Sequence, residues 1–147
     1  MSSSLNHRYR HGEWPQSAPW NEVIESLLQH RSVRSYLDKP LPEGTLQTLL
    51  AAAQSAATSS NLQAWSLVAI EDPARKARLA ELAGNQPHIQ QAPLFLVWLA
   101  DLSRIERQAS HRNIELQAPA YLDSLLVSSI DAALAAQNAV VAFNPSG

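Results

Sequence analysis

The sequence predicts a globular domain in which helices alternate with two short strands. Apolar residues make up 46% of the 147 residues and charged residues 16%, a balance typical of a chain with a packed core. The formal net charge of −2 gives no electrostatic reason to bind nucleic acid or an anionic membrane. The sequence has no cysteine, which excludes disulfides and thiolate chemistry within it and fits a cytoplasmic protein.

Local capping signals predict where the first three helices begin and end. The first helix begins at Asn21, whose side chain can accept a hydrogen bond from the first turn. A second helix is predicted from residue 43 to residue 57, after two prolines. A third begins at Asp72 and Pro73, an acid that caps and a proline whose missing N–H does no harm. Gly84 is a suitable residue to end that helix.

The last helix is predicted from Pro119 to Val141, where alanines permit close packing against other elements. The apolar stretch around it is long enough to cross a membrane, but polar residues interrupt it: Asp123, Asp131, Gln137 and Asn138. A charged group at the centre of a membrane costs about 2.5–3.5 kcal/mol, so a buried helix is the preferred interpretation.

Strands are predicted at Trp65 to Ile70 and at Leu94 to Ala100. The second is almost continuously apolar, which predicts a central strand covered on both faces. Two strands alone make a poor sheet, since stability usually needs three or more. We therefore expect these elements to be part of a larger fold.

Residues 1–19 are predicted to form a flexible leader, because Gly12, Pro15 and Pro19 stand there among polar residues. The first residues lack the apolar run of a secretory signal. His7 and His11 have the spacing of metal ligands on a helix, but no third ligand accompanies them, so no metal site is expected.

Three polar segments could bind a ligand. In the segment from His30 to Tyr36, two arginines flank a serine and could bind one phosphate, although arginines at a helix C-terminus more often complement the helix dipole. The loop from Thr58 to Gln63 could bond a polar heterocycle, or be an ordinary loop. Gln86 could reach a ligand. Glycine-rich nucleotide motifs and hydrolase motifs are absent, so a Rossmann cofactor site has no support.

The order of these motifs resembles the nitroreductase family, and most of all its branch of NADPH-dependent flavin reductases and oxygen-insensitive nitroreductases. The similar segments are E-S-L-L-Q-H-R-S-V-R-S-Y (25–36), A-A-T-S-S-N-L-Q (56–63), L-A-G-N-Q-P-H-I-Q-Q-A-P (82–93) and D-A-A-L-A-A-Q-N-A-V-V-A (131–142). Together with the apolar strand they cover nearly everything from residue 21 to residue 142.

The resemblance implies an α+β fold of the nitroreductase kind, with a central sheet flanked by helices, and a homodimer with two FMN sites at its interface. The residues that match the motif for the FMN phosphate and ribityl chain are His30, Arg31, Ser32 and Arg34. Those that match the loop that meets the flavin, often from the partner subunit, are Ser59, Ser60 and Gln63. Gln86 matches a glutamine near the isoalloxazine ring.

The implied activity passes hydride from NAD(P)H through FMN to nitroaromatics, quinones or flavins. The chemistry belongs to the flavin, so no catalytic side chain is expected. The family continues into a glycine-rich strand and a further cation, and it is about twice as long. The sequence therefore predicts a C-terminally truncated enzyme: a leader (1–19), the N-terminal part of the domain (20–142) and a divergent tail (143–147). The alternatives are a non-catalytic remnant that does not retain FMN, and a helical interaction module.

Overall fold

The computed structural model describes residues 2–9, 19–116 and 121–143, which form seven helices and two strands. The elements are α1 (Ser2–Arg8), α2 (Glu22–Gln29), α3 (Thr45–Gln54), β1 (Trp65–Ile70), α4 (Pro73–Leu82), α5 (Pro87–Gln91), β2 (Phe95–Ala100), α6 (Ser103–His111) and α7 (Leu122–Ala142). A single 3₁₀ turn, Ser59–Asn61, lies between α3 and β1.

The predicted caps are confirmed. The side chain of Asn21 accepts a hydrogen bond of 2.9 Å from the amide of Ile24, at the start of α2. Asp72 accepts one of 2.8 Å from the amide of Arg75, with Pro73 as the first residue of α4. Gly84 follows α4 with a φ of 81°, the left-handed conformation that favours glycine there.

Three helices were not predicted from the sequence. Helix α1 lies in the expected flexible leader and packs beside α2, where the Nη1 atom of Arg8 donates to the carbonyl of His30 at 2.7 Å. Helices α5 and α6 are short and contain few apolar residues, so neither has a strong local signal. Residues 10–18 and 144–147 lie outside the described ones, and the division into leader, domain and tail stays a prediction.

The two strands form an antiparallel ladder that pairs Trp65 with Ala100 and Ile70 with Phe95. The prediction that β2 is covered on both faces is wrong for this chain, because its residues are only half-buried or exposed, and Leu99 is 41% exposed. Within the described residues β2 pairs only with β1, so one of its edges also lacks a strand partner.

The core lies where α7 packs across α3 and the sheet. Its centre is formed by small side chains on α7, and Ala135 is completely buried. The other core residues are Leu49, Ala53 and Ala139, with Ala56, Trp65, Leu94, Leu96 and Trp98 packed against them. Small side chains let the two helices approach closely, as the alanine-rich sequence predicts.

Helix α7 is apolar on two opposite faces. The face toward α3 carries the buried residues Ser128, Asp131, Ala132, Ala135 and Ala139. The other face carries large side chains that are 40–68% exposed: Leu122, Leu125, Leu126, Ile130 and Leu134. We call this second set the outer face of α7. The single chain therefore leaves a large apolar surface of this helix exposed, and less of the helix is buried than the sequence suggests.

By length and composition α7 could also cross a membrane. Two of its polar residues have partners in the fold, however. The side chain of Asn138 donates to the carbonyl of Ala52 at 3.2 Å, and the carboxylate of Asp131 accepts a hydrogen bond from the hydroxyl of Thr58. The packing therefore favours a core helix, which is the interpretation preferred from the sequence.

Candidate functional site

The segment His30–Arg34 follows α2 directly and is exposed along its whole length. Helix α2 ends at Gln29, and the backbone of His30 turns to an extended conformation (φ −53°, ψ 133°). The predicted phosphate-binding residues, His30, Arg31, Ser32 and Arg34, therefore lie on an accessible segment without regular secondary structure, just after a helix C-terminus.

Arg31 bonds the end of its own helix. Its Nη1 atom donates to the carbonyls of Leu28 at 2.9 Å and His30 at 2.8 Å. Arg8 of α1 donates to the same two carbonyls, at 3.3 and 2.7 Å. Positive groups at this end complement the helix dipole, which is the alternative role that the sequence predicts for Arg31. A guanidinium has five N–H donors, so these bonds leave others for an anion.

An open cleft of about 330 Å³ lies beside these two arginines, lined by His7, Arg8, Tyr9 and Arg31. The sequence predicts that Arg31, Ser32 and Arg34 share one cavity, yet neither Ser32 nor Arg34 lines this cleft. The lining of this cleft therefore does not include the whole predicted three-residue phosphate anchor, and the role of that anchor stays a prediction. His11 lies outside the described residues, among which no group of three metal-ligating side chains is found.

The loop from Thr58 to Ala64 is tied to α7 by Asp131, whose side chain is 1% exposed. One carboxylate oxygen accepts from the hydroxyl of Thr58 at 2.6 Å and from the amide of Ala64 at 3.1 Å. The other oxygen accepts from the amide of Ser59 at 3.1 Å. The loop is therefore anchored at both its ends by one buried acid.

The same loop has an unusual backbone. Ser60, Asn61 and Gln63 have φ values of 52°, 54° and 48°, in the left-handed region that favours glycine. Each such residue costs about 1–2 kcal/mol relative to a right-handed one, so the anchoring bonds must outweigh this strain. Ser59, Ser60 and Gln63, the residues predicted to meet a flavin, are all exposed on the loop. A strained and accessible loop is typical of a binding site.

Asp131 was not predicted as a site residue, since the sequence presented it only as an interruption of an apolar stretch. A usable signal was present: Asp131, Ala135 and Ala139 recur every four residues, which places the carboxylate on the buried face of α7. A buried acid needs hydrogen-bond donors, so such a position predicts a polar partner in another segment.

The C-terminal end of the loop is also held by residues that follow β2. The backbone amide of Asp101 donates to the carbonyl of Ala64 at 3.0 Å, and the side chain of Arg104 donates to the carbonyl of Gln63. The carboxylate of Asp101 accepts from the hydroxyl and amide of Ser103, at 2.6 and 2.9 Å, and from the hydroxyl of Ser66. These bonds, led by the one from the Ser103 hydroxyl, lower the pKa of Asp101 to about 2.

The low pKa of Asp101 predicts how stability depends on pH. The folded-state pKa lies below the ordinary value of 3.8, so the unfolded state binds the proton more readily. The stabilisation is complete above the ordinary pKa and is lost as pH falls through the folded-state value. We expect Asp101→Asn to lower the urea midpoint at neutral pH, and the difference from wild type to shrink between about pH 4 and pH 2. The exposed Asp38→Asn serves as control, and a wild-type midpoint in Asp101→Asn at neutral pH contradicts the assignment.

Gln86 lies at the start of α5. The side chain of Gln86 is exposed, and its backbone amide donates to the carbonyl of Ala80 at 3.2 Å. Asn85 before it has a φ of 59°. No hydrogen bond among the described residues joins the three candidate segments to one another. The candidate residues are exposed on three separate segments of the sequence, and their common site stays a prediction.

Comparison with known proteins identifies the family. The model described as "Nitroreductase family" matches residues 27–143, and the chain belongs to this family. The family resemblance and the nitroreductase fold expected from the sequence are both confirmed.

The curated relatives include flavin reductases. The chain is 41% identical over 128 residues to the FMN reductase (NADPH) of Bacillus subtilis, covering 86% of this chain and 51% of that protein. It is 33% identical over 127 residues to the NADPH-flavin oxidoreductase of Vibrio harveyi, with 86% and 51% covered. The chain spans about half the length of the curated relatives it matches.

Solved structures of related proteins contain the same fold. NfrA2 of B. megaterium superposes with a TM-score of 0.81 at 40% identity, over 84% of this chain and 50% of that one. The NADPH:FMN oxidoreductase of Vibrio harveyi, solved with NAD+, gives a TM-score of 0.73 at 32% identity, over 83% and 51%. The described helices and two-stranded sheet are thus the part of a nitroreductase fold that this chain contains.

Proposed function

We propose that this chain contributes the first half of an FMN-dependent NAD(P)H oxidoreductase. The observation that carries the proposal is the anchored loop from Thr58 to Ala64. It holds exposed hydroxyl and amide groups in a strained backbone, in a chain 41% identical to an FMN reductase (NADPH). Such a loop offers hydrogen bonds to a polar ring without needing a nucleophile or a general acid.

The residues present fit FMN in chemical type. A phosphate group needs cations and N–H donors, and Arg31 stands beside an open cleft with Arg8 and His7. We assign the phosphate and ribityl chain to His30, Arg31, Ser32 and Arg34, the ring to Ser59, Ser60 and Gln63, and a further ring contact to Gln86. Bound FMN would supply hydride transfer from NAD(P)H to an acceptor such as a nitroaromatic, a quinone or a free flavin.

The protein residues in this proposal act by binding and orientation. The loop bonds hold Ser59 and Gln63 before any ligand arrives, so less ordering is needed on binding. The homodimer belongs to the same proposal, because the outer face of α7 is too apolar to remain exposed in a stable protein. We also propose a cytoplasmic location, which suits an enzyme that uses NAD(P)H.

A second candidate function is a non-catalytic remnant. It is favoured by the two-stranded sheet of the described residues, whose outer edges lack strand partners. It differs from the first proposal in one measurable property, the retention of flavin.

The test uses a completed chain, in which residues 1–142 are followed by the C-terminal half of the Bacillus subtilis FMN reductase (NADPH). We expect this protein to purify with bound FMN, seen in its absorption spectrum, and to oxidise NADPH when a flavin or quinone is added. A folded, colourless protein without activity refutes the oxidoreductase proposal for these residues.

Arg34 provides a sharper test of the phosphate assignment. In the completed chain, Arg34→Ala should weaken FMN binding about ten- to a hundredfold, the loss of about 1.5–3 kcal/mol expected for a charge-assisted hydrogen bond. The measurement is flavin fluorescence quenching during titration. Arg78→Ala is a matched control, since Arg78 is an exposed arginine whose partner is Glu81 on the same helix. Equal affinities for Arg34→Ala and wild type remove Arg34 from the site.

A further inference from the structure

Asp131 is a buried acid with no cationic partner among the described residues. Its charge is compensated only by one hydroxyl and two backbone amides, all from the Thr58–Ala64 loop. Burying a carboxylate is unfavourable unless donors replace the lost water. Its neighbours on the same face of α7 are alanines and a serine, so packing alone does not require an acid there.

The hydroxyl of Thr58 links the carboxylate of Asp131 to the backbone of Gln63 by two hydrogen bonds. A hydroxyl has one proton to donate, and Thr58 donates it to Asp131 at 2.6 Å. Its oxygen is then left to accept, and it accepts from the backbone amide of Gln63 at 2.9 Å. The carboxylate can only accept, so it sets the direction of this two-step chain of hydrogen bonds.

The second of these hydrogen bonds involves Gln63, whose backbone is strained. Gln63 has a φ of 48°, and its peptide groups are held on both sides, by Thr58 at its amide and by Arg104 at its carbonyl. The backbone amide of the next residue, Ala64, donates to the carboxylate of Asp131. The side chain of Gln63 is thereby kept exposed beside that of Asn61, to which it donates at 3.3 Å.

We propose that Asp131 is a positioning residue that holds Ser59 directly, through its backbone amide, and Gln63 through the hydroxyl of Thr58, in the conformation that presents both to a ligand. That the ligand is a flavin rests on the proposed function. The positioning itself is a property of the loop and can be measured without flavin.

The experiment compares amide hydrogen exchange in the 147-residue chain and in two variants at Thr58. Thr58→Val keeps the shape of the side chain and removes the hydroxyl, whereas Thr58→Ser keeps the hydroxyl. We expect Thr58→Val to lower the protection of the Gln63 amide about tenfold, the factor that corresponds to one lost hydrogen bond. Thr58→Ser should retain the wild-type protection. The amide of the fully buried Ala80, on α4, is the internal reference and should not change.

Asp131→Asn is a third variant, chosen because it replaces one acceptor oxygen by a donor at nearly constant volume. It should lower the protection of the Ala64 and Gln63 amides together, again with Ala80 unchanged. If Asp131→Asn does not fold, the pair of Thr58 variants decides the question. Unchanged protection of Gln63 in Thr58→Val overturns the proposal, and so does an equal loss at Ala80, which indicates a general structural role. Failure of the completed chain to bind FMN overturns only the proposed function.

Discussion

The 147 residues expressed alone are expected not to retain FMN through gel filtration and not to oxidise NADPH. The sheet of the described residues has two strands, so its edges are open and the core is incomplete. The two arginines nearest the cleft are bonded to the carbonyls of Leu28 and His30, while Ser32 and Arg34 lie outside that cleft.

The expected size of this effect follows from two contributions. The absence of a further cation that the family resemblance implies costs about 1.5–3 kcal/mol, or one to two decades in affinity. Incomplete assembly of the pocket lowers the apparent affinity further, in proportion to the competent fraction. The measurement is the flavin absorption and NADPH oxidation of the purified chain after excess FMN is removed, with the completed chain as positive control. Stoichiometric FMN and steady turnover in the 147-residue chain would falsify this prediction.

The same chain is expected to self-associate at micromolar concentration through the outer face of α7. Leu126 and Ile130 are 52% and 57% exposed, one turn apart in the middle of that face. Burial of one such side chain stabilises association by about 1.5–3 kcal/mol. The double variant Leu126→Glu, Ile130→Glu should therefore shift the dissociation constant by at least about a hundredfold.

Sedimentation velocity over a range of concentrations measures this effect. Leu82→Glu is a matched control, because Leu82 is 69% exposed but lies on α4, away from the outer face. It should leave the association unchanged. A wild-type chain that sediments as a stable, folded monomer at micromolar concentration contradicts the prediction, as does a control that dissociates like the double variant.

Features that depend on neighbouring residues in the chain were predictable. The cap of α2 by Asn21 and the start of α4 at Asp72 and Pro73 involve bonds that span three residues. Strand β1 was predicted with its observed bounds, because a short apolar run enriched in bulky side chains stands between polar loops. Helix α6 was missed because its polar sequence has few apolar residues to mark a buried face.

Burial was less predictable than the elements themselves. The apolar run of β2 predicts a strand, and the strand is there, but the same run does not say how many layers cover it. The outer face of α7 is a similar case. Its leucines and the alanines of the opposite face give one continuous apolar stretch, and only the packing on α3 separates a core face from an exposed one.

By itself the sequence determined the helices and strands that local signals mark, and the candidate residues Arg31, Ser59 and Gln63 through their family motifs. Only the tertiary structure showed that Asp131 bonds Thr58, because these residues are 73 positions apart and no periodicity connects them. It also showed Arg8 and Arg31 bonded to the same helix end. The physical reason is that a hydrogen bond between distant segments depends on how two elements pack, and the packing of α7 on the rest of the fold is a property of the whole chain.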